Sequence, residues 1–332
     1  MCKIKDDYIV PISSIWNDFS GMPEALQKVS AIIQNSLDSK SQVINEGLRS
    51  LFSGGGKLLR PGMLIIAARF GKVQDKHYKL AAAIEMLHMA TLVHDDVIDD
   101  SPLRRGMPSL HSVYGKQDAV LMGDFLLSRS FLLTAEYTSP QNALNLAKAI
   151  AMLCEMEIEQ NNDRFKSNTS MRSYMRKIMG KSALLFALAF YTGAHEANVN
   201  ASVCQRLRRI GYNIGIAFQI IDDVLDYAGD QSVVRKSLGN DIISGLITMP
   251  VLCALRSDSS GALKEIFSRG VFTPEQTSKI FSLVRELGGD KAAHERASRY
   301  TGRALKDIAA LPSGETRNIL DELTRRLLTR QA

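Results

Sequence analysis

Apolar residues recur along most of this chain at helical spacing, while strand-like alternation over more than a few residues is hard to find. Leu80, Ile84, Leu87, Thr91 and Asp95 step along one side of a long helix, and Leu184, Leu188 and Tyr191 do the same further on. Ile210, Ile214, Phe218 and Ile221 form another such row that ends at a cluster of acids. Only 9 prolines occur, and the recurrent Ala, Leu, Ile and Met favour helix because they lose little rotamer freedom in it. Gly54–Gly56, Pro102–Gly106, Pro140, Asn161–Asp163 and Gly229–Asp230 read as breaks between helices. No polar linker divides the chain. The expectation is one all-α domain over residues 1–332, of roughly ten or more helices. Residues 1–25 form an N-terminal extension or dimer-contact segment, with Ile15–Phe19 a candidate contact.

A chain of 332 residues with 45% hydrophobic and 23% charged residues can bury a large core. The net charge of +6 suits an anionic ligand such as a diphosphate, and no RRM, zinc-finger or basic-zipper pattern points to nucleic acid. Cys2, Cys154, Cys204 and Cys253 form no CxxC pair, which fits a reduced, cytoplasmic protein. The opening MCKIKDDYIV lacks the apolar run of a secretory signal. The greasiest stretch, Ala183–Tyr191, is too short to cross a bilayer, leaving at most a peripheral membrane association for product release.

Two clusters carry the chemistry. The first is His94-Asp95-Asp96-Val97-Ile98-Asp99-Asp100 and the second is Asp222-Asp223-Val224-Leu225-Asp226, each containing Asp-Asp-x-x-Asp. On a helix, residues i and i+4 share a face, so Asp95 lies with Asp99 and Asp222 with Asp226. Carboxylates crowded at the end of an apolar run repel one another unless a cation joins them. Magnesium does so with one or two carboxylates, filling its remaining positions with water and phosphate oxygens. A solvated helix end would explain one cluster; two with the same spacing behind apolar helices argue against it. Glu85-Met86-Leu87-His88 matches the Glu-x-x-His of di-iron bundles, but His111, His195 and His294 supply no second copy.

Basic residues accompany the acids. Gly54-Gly55-Gly56-Lys57-Leu58-Leu59-Arg60-Pro61 is a glycine-rich loop with two cations, though not a Walker A loop. Arg104-Arg105-Gly106 follows the first cluster, Lys181 opens an apolar helix and Lys236 follows the second cluster. Each lone cation reads equally as a surface solubiliser; together with metal-type acids they imply diphosphate chemistry.

Taken in order, these residues resemble the trans-isoprenyl diphosphate synthases, or polyprenyl synthetases. The resemblance runs from about Ser53 to Pro250 and continues more weakly to the C-terminus. It rests on Gly55–Pro61, on Leu92–Gly106, on Lys181-Ser182-Ala183 and on Phe218–Asp226. It implies an isoprenoid-synthase-type helical bundle around a central cavity, and magnesium-dependent head-to-tail addition of isopentenyl diphosphate to an allylic diphosphate of farnesyl or geranylgeranyl type. Asp95, Asp99 and Asp222 would coordinate magnesium, three ions with diphosphate bound, with Asp96, Asp223 and Asp226 close by or acting through water. Arg104, Lys181 and Lys236 would hold the allylic diphosphate; Lys57, Arg60, His88 and Arg105 would hold isopentenyl diphosphate. Gln219 would face the reacting allyl group. A homodimer is expected, a heterodimer being the alternative.

The family usually runs Gly-Lys-x-Thr-Leu-Pro after the second cluster, whereas this chain has Gly245-Leu246-Ile247-Thr248-Met249-Pro250, and Arg235 stands where a Gly usually precedes the Lys. Leu246 therefore removes a cation that touches diphosphate, as in some catalytic subunits of heteromeric synthases. Small residues, Thr91 and Ala90, occupy the places where aromatics stop short products in this family, and Leu87 lies a turn below Thr91. The implied product exceeds four isoprene units; the plainer reading of these small residues is close helix packing. Two rivals are a class I terpene cyclase, which usually lacks the Gly55–Pro61 loop, and a partner subunit with a decayed site, against which the intact acids argue.

Overall fold

The computed structural model describes residues 11–162, 169–228, 242, 245–268 and 272–328. A short 3-10 turn at Ser14–Trp16 leads to α1 (Met22–Ser36), α2 (Gln42–Ser53), α3 (Leu59–Ala68) and α4 (Asp75–Ile98). A hairpin of β1 (Leu103–Arg104) and β2 (Met107–Pro108) precedes α5 (Leu110–Tyr114), α6 (Lys116–Tyr137) and α7 (Pro140–Asn162). Next, α8 (Met171–Ile178) passes into a π-helical turn at Met179–Ala183, followed by α9 (Leu184–Glu196) and α10 (Ala201–Ala228). Then come α11 (Met249–Ser257), α12 (Ala262–Ser268), α13 (Pro274–Glu286), α14 (Gly289–Ala309) and α15 (Glu315–Leu328). The all-α expectation holds, and the three apolar rows read from the sequence fall on α4, α9 and α10. Of the expected breaks, Asn161–Asp163 falls where α7 ends at Asn162, and Gly229–Asp230 lies outside the described residues.

Helix starts follow local chemistry. Thr273 and Gln276 form a reciprocal capping box at α13, with Thr273 Oγ1 accepting from Gln276 N at 3.3 Å and Gln276 Oε1 from Thr273 N at 2.9 Å. The hairpin exists because Arg105 and Gly106 both take positive φ, 53° and 79°, as a two-residue type I′ turn requires.

The chain divides into two compact units, Met1–Leu144 with Ala189–Cys204, and Asn145–Leu188 with Gln205–Ala332. In the first, α4 is packed by α1, α3 and α6. Every residue from Leu80 to Leu87 is buried, which a helix shows only when covered on all sides. Close approach is possible because the facing residues are small. Ser130 Oγ donates to Ala83 O at 2.8 Å, and a Cβ on Gly123 would lie 2.2 Å from His94 Nε2. Trp16 and Phe19 are buried within this unit, while Ile15 is half-buried.

The second unit uses the same device. A Cβ on Gly215 of α10 would lie 2.5 Å from Ala183 Cα, so α10 rests directly on the π-helical turn. Gly289 lets α14 reach the backbone of α11 at Pro250.

Glu196 at the end of α9 staples the first unit. Its carboxylate accepts from Lys76 Nζ at 2.9 Å, Thr138 Oγ1 at 2.6 Å and Asn142 Nδ2 at 2.6 Å. Burial by itself raises its pKa, but the hydrogen bonds from Thr138, Lys76 and Asn142 outweigh burial and hold it at about 2. Because the folded pKa is depressed, the stabilisation is present above about pH 4.5 and is lost as pH falls towards 2. Glu196→Gln is expected to lower stability by about 3 kcal/mol at pH 7. Urea titrations of both proteins should show that gap shrinking between pH 4.5 and pH 2, and a gap independent of pH would disprove the staple.

Candidate active site

In the first unit, the acids of α4 separate by environment. Asp95 and Asp99 lie one turn apart and remain half-exposed. Asp96 points the other way, is 3% exposed, and takes a two-pronged ion pair from Arg104, whose Nε lies 2.9 Å from Asp96 Oδ2 and whose Nη2 meets Oδ1. Asp100, with φ 51°, meets Lys116 Nζ at 2.9 Å. The structure thus engages Arg104 with Asp96, where the family pattern assigned one to diphosphate and the other to the metal acids. His94 lies 3.2 Å from Val120 O and 3.4 Å from Asp124 Oδ1, and so serves packing between α4 and α6.

A cationic patch lies next to these acids on α3, α4 and the hairpin. Gly55 (φ 71°) and Leu58 (φ 45°) turn the chain on either side of Lys57 and start α3 at Leu59. Arg105 lies over the loop, since a Cβ on Gly56 would be 3.0 Å from its Nη1. Burial lowers the Arg60 guanidinium to about 10, with Glu85 pulling it up and Arg105 pushing it down. Glu85, 4% exposed, is raised by burial against the opposing pull of Arg60 and Arg105. His88 falls well below its ordinary value through burial and through Arg60, Arg105 and Arg104, so it is a neutral hydrogen-bonding group at pH 7. Arg60 and Arg105 both face the charge of Glu85, and Arg105 that of Asp96 as well. Positive charge gathered around buried Arg60 suits an incoming anion. Glu85, which the sequence offered only as half of a di-iron motif, is the counter-charge of this patch.

Ala90 and Leu87 are fully buried, and Thr91 is half-buried with its hydroxyl donating to His88 O at 2.7 Å.

In the second unit, α10 repeats the separation. Asp222 is exposed and Asp226 half-buried, while Asp223 is 4% exposed. Asp223 Oδ2 accepts from Tyr174 Oη at 2.5 Å and from Met249 N at 3.4 Å, and Oδ1 accepts from Gln219 Nε2 at 3.0 Å. The Gln219 carbonyl oxygen in turn accepts from Ser182 Oγ at 2.5 Å. Gln219 is therefore held at both ends of its amide, and Asp223 joins α8, α10 and the start of α11 instead of turning outward with Asp222. Lys181, half-exposed, sits in the π-helical turn, an irregularity that recurs at functional sites. Leu246 is half-buried in a loop that Thr248 ties to Tyr227 through a 3.1 Å hydrogen bond. Lys236 and Arg235 lie outside the described residues. Nothing in the sequence singles out Tyr174, since a tyrosine on a short basic helix carries no motif.

The acids fit a hard divalent cation such as magnesium. All donors are carboxylate oxygens, and Asp95, Asp99 and Asp222 are open enough for water and phosphate to complete the coordination.

Helix-borne acids open to a divalent cation, with a cationic patch around buried Arg60 beside the first set, define an all-α protein of diphosphate chemistry. The polyprenyl synthetase family model matches residues 41–284. A heptaprenyl diphosphate synthase component 2 of Geobacillus stearothermophilus is 34% identical over 92% of this chain and 95% of its own length. An all-trans-nonaprenyl-diphosphate synthase (geranyl-diphosphate specific) of Rhodobacter capsulatus is 34% identical over 98% of both chains. Among solved structures, a polyprenyl synthase from Caulobacter crescentus complexed with calcium and isoprenyl diphosphate superposes with a TM-score of 0.88 at 35% identity, covering 93% of this chain and 96% of that one. The chain belongs to the polyprenyl synthetase family, and is by that membership a prenyltransferase.

Tyr174→Phe tests the inward role of Asp223. Losing the phenol donor to a buried carboxylate should cost about 2 kcal/mol of stability, read by thermal or urea unfolding. A stability equal to wild type would show that the Tyr174–Asp223 bond does not hold α8 to α10.

Proposed function

We propose that this chain is a long-chain trans-polyprenyl diphosphate synthase, which adds isopentenyl diphosphate head to tail to a farnesyl- or geranylgeranyl-type diphosphate and carries the product beyond C20. The observation that carries the reading is the adjacency on α4 of half-exposed Asp95 and Asp99 with the Arg60–Glu85–Arg105 patch. Asp95, Asp99 and Asp222 hold magnesium, three ions with diphosphate present, and Asp226 assists through water. Bound there, magnesium supplies the Lewis acidity that neutralises the leaving diphosphate. Lys57, Arg60, Arg105 and neutral His88 fix the diphosphate of isopentenyl diphosphate; Lys181, Lys236 and, once released from Asp96, Arg104 fix the allylic one. The allylic C–O bond breaks with its electron pair leaving on diphosphate. The isopentenyl double bond attacks the allylic carbon, and a proton passes to the departed diphosphate. Gln219, its amide set by Ser182 and Asp223, faces the allyl group.

Small side chains at Ala90 and Thr91, above Leu87, support a long product. Pure protein given farnesyl diphosphate, isopentenyl diphosphate and magnesium should yield a ladder beyond C20 on chromatography. A cyclic hydrocarbon would point to a cyclase instead. Ala90→Phe should shorten the ladder; an unchanged ladder from a folded variant means that the tail does not pass this wall. Overpacking should cost that variant about 1–3 kcal/mol.

A second reading is favoured by Leu246 and by the component 2 name of the Geobacillus relative: a catalytic subunit that needs a partner. On α6, Leu121, Phe131 and Leu132 are exposed, and the last two line a shallow groove with Asp124, Leu127 and Ser128. This face is covered by a second copy in a homodimer, or by a different subunit in the second reading. Paired Leu121→Glu and Phe131→Glu changes should convert a dimer to a monomer in sedimentation. Activity appearing only with an added subunit would select the second reading.

A further inference from the structure

We infer that Trp16 is a positioning residue for isopentenyl diphosphate, holding Lys57 and Arg60 in register from the far end of the sequence. This rests on the reading of Lys57 and Arg60 as ligands of that diphosphate. The Trp16 indole Nε1 donates to Lys57 O at 2.6 Å across 41 residues of sequence. Its ring is completely buried, packed edge-on to Phe19 at 6.3 Å between centroids. The same ring lies on Gly62, where a Cβ would come within 2.1 Å of Cη2. One rigid side chain therefore grips the loop at Lys57 and the first turn of α3 two residues past Arg60.

The grip has a local reason. Leu58 holds a left-handed conformation (φ 45°) that a residue with a Cβ keeps only where its surroundings impose it. Flanking it, Lys57 O is fixed by the indole, and Leu58 O accepts from Gly62 N at 2.9 Å to begin α3. An indole N–H buried with a partner also resists displacement, because an unmet donor in the core is costly. Without Trp16 the loop can turn the Lys57 side chain away from Arg60 and Arg105 while the helices remain folded.

The chain contains a single tryptophan, so its fluorescence reports on this contact alone. Isopentenyl diphosphate added to wild-type protein with magnesium should change the emission saturably, with the same midpoint that calorimetry gives for binding. Trp16→Phe keeps one aromatic ring but removes both the N–H donor and the Cη2 edge that lies on Gly62. It should weaken isopentenyl diphosphate binding and raise its KM by about fivefold. The KM for farnesyl diphosphate and the helical circular dichroism should stay unchanged, a selectivity that general loosening would not produce. Calorimetric binding to wild type without any emission change overturns the inference alone, as does an unaltered isopentenyl KM in a folded Trp16→Phe. If Trp16→Phe does not fold, the wild-type titration decides. No calorimetric binding to wild type overturns the isopentenyl reading itself, and this inference with it.

Discussion

Negative charge concentrated at the negative end of a helix is the constraint from which the rest of the first unit follows. The last turn of α4 carries Asp95 and Asp96, and Asp99 caps it with Asp100 following, where the helix dipole already disfavours anions. The fold answers with cations placed one by one: Arg104 on Asp96, and Lys116 on Asp100. Asp95 and Asp99 are half-exposed on one face of the same chain end. The hairpin turn that projects Arg105 over Gly56 also sets Arg104 against Asp96, so two adjacent arginines meet different groups.

The same logic explains why two motifs of one spelling do not make uniform ligand sets. Consecutive helical residues point about 100° apart. A pair such as Asp95-Asp96 therefore cannot present both carboxylates to one ion on one face. In α4 the inward member is neutralised by a guanidinium; in α10 the inward Asp223 is satisfied by a phenol, an amide and a backbone N–H. The inward acids bear on the scaffold, and the outward acids stay accessible. Each motif thus couples local folding to site geometry within its own unit.

Much of this was legible in the residues. Helical period placed the apolar rows on α4, α9 and α10, because an i, i+4 pattern is a purely local property of the backbone. The paired acids, the glycine loop and the cations were visible as types at given spacings. Several partners were not. Glu85 looked like half of a metal motif and proves to be the counter-charge between Arg60 and Arg105. Tyr174 and Trp16 bear no motif, and their partners lie 49 and 41 residues away.

What the chain determines on its own is periodicity, and with it the helical class and the shared face of Asp95 and Asp99, since these depend only on neighbours along the backbone. Tertiary structure alone decided which carboxylate of each pair faces inward, that the His88 imidazole is pushed well below its ordinary pKa, and that Trp16 is buried against Lys57 and Gly62. Those outcomes depend on desolvation and on groups brought close through folding, and neither is a function of spacing.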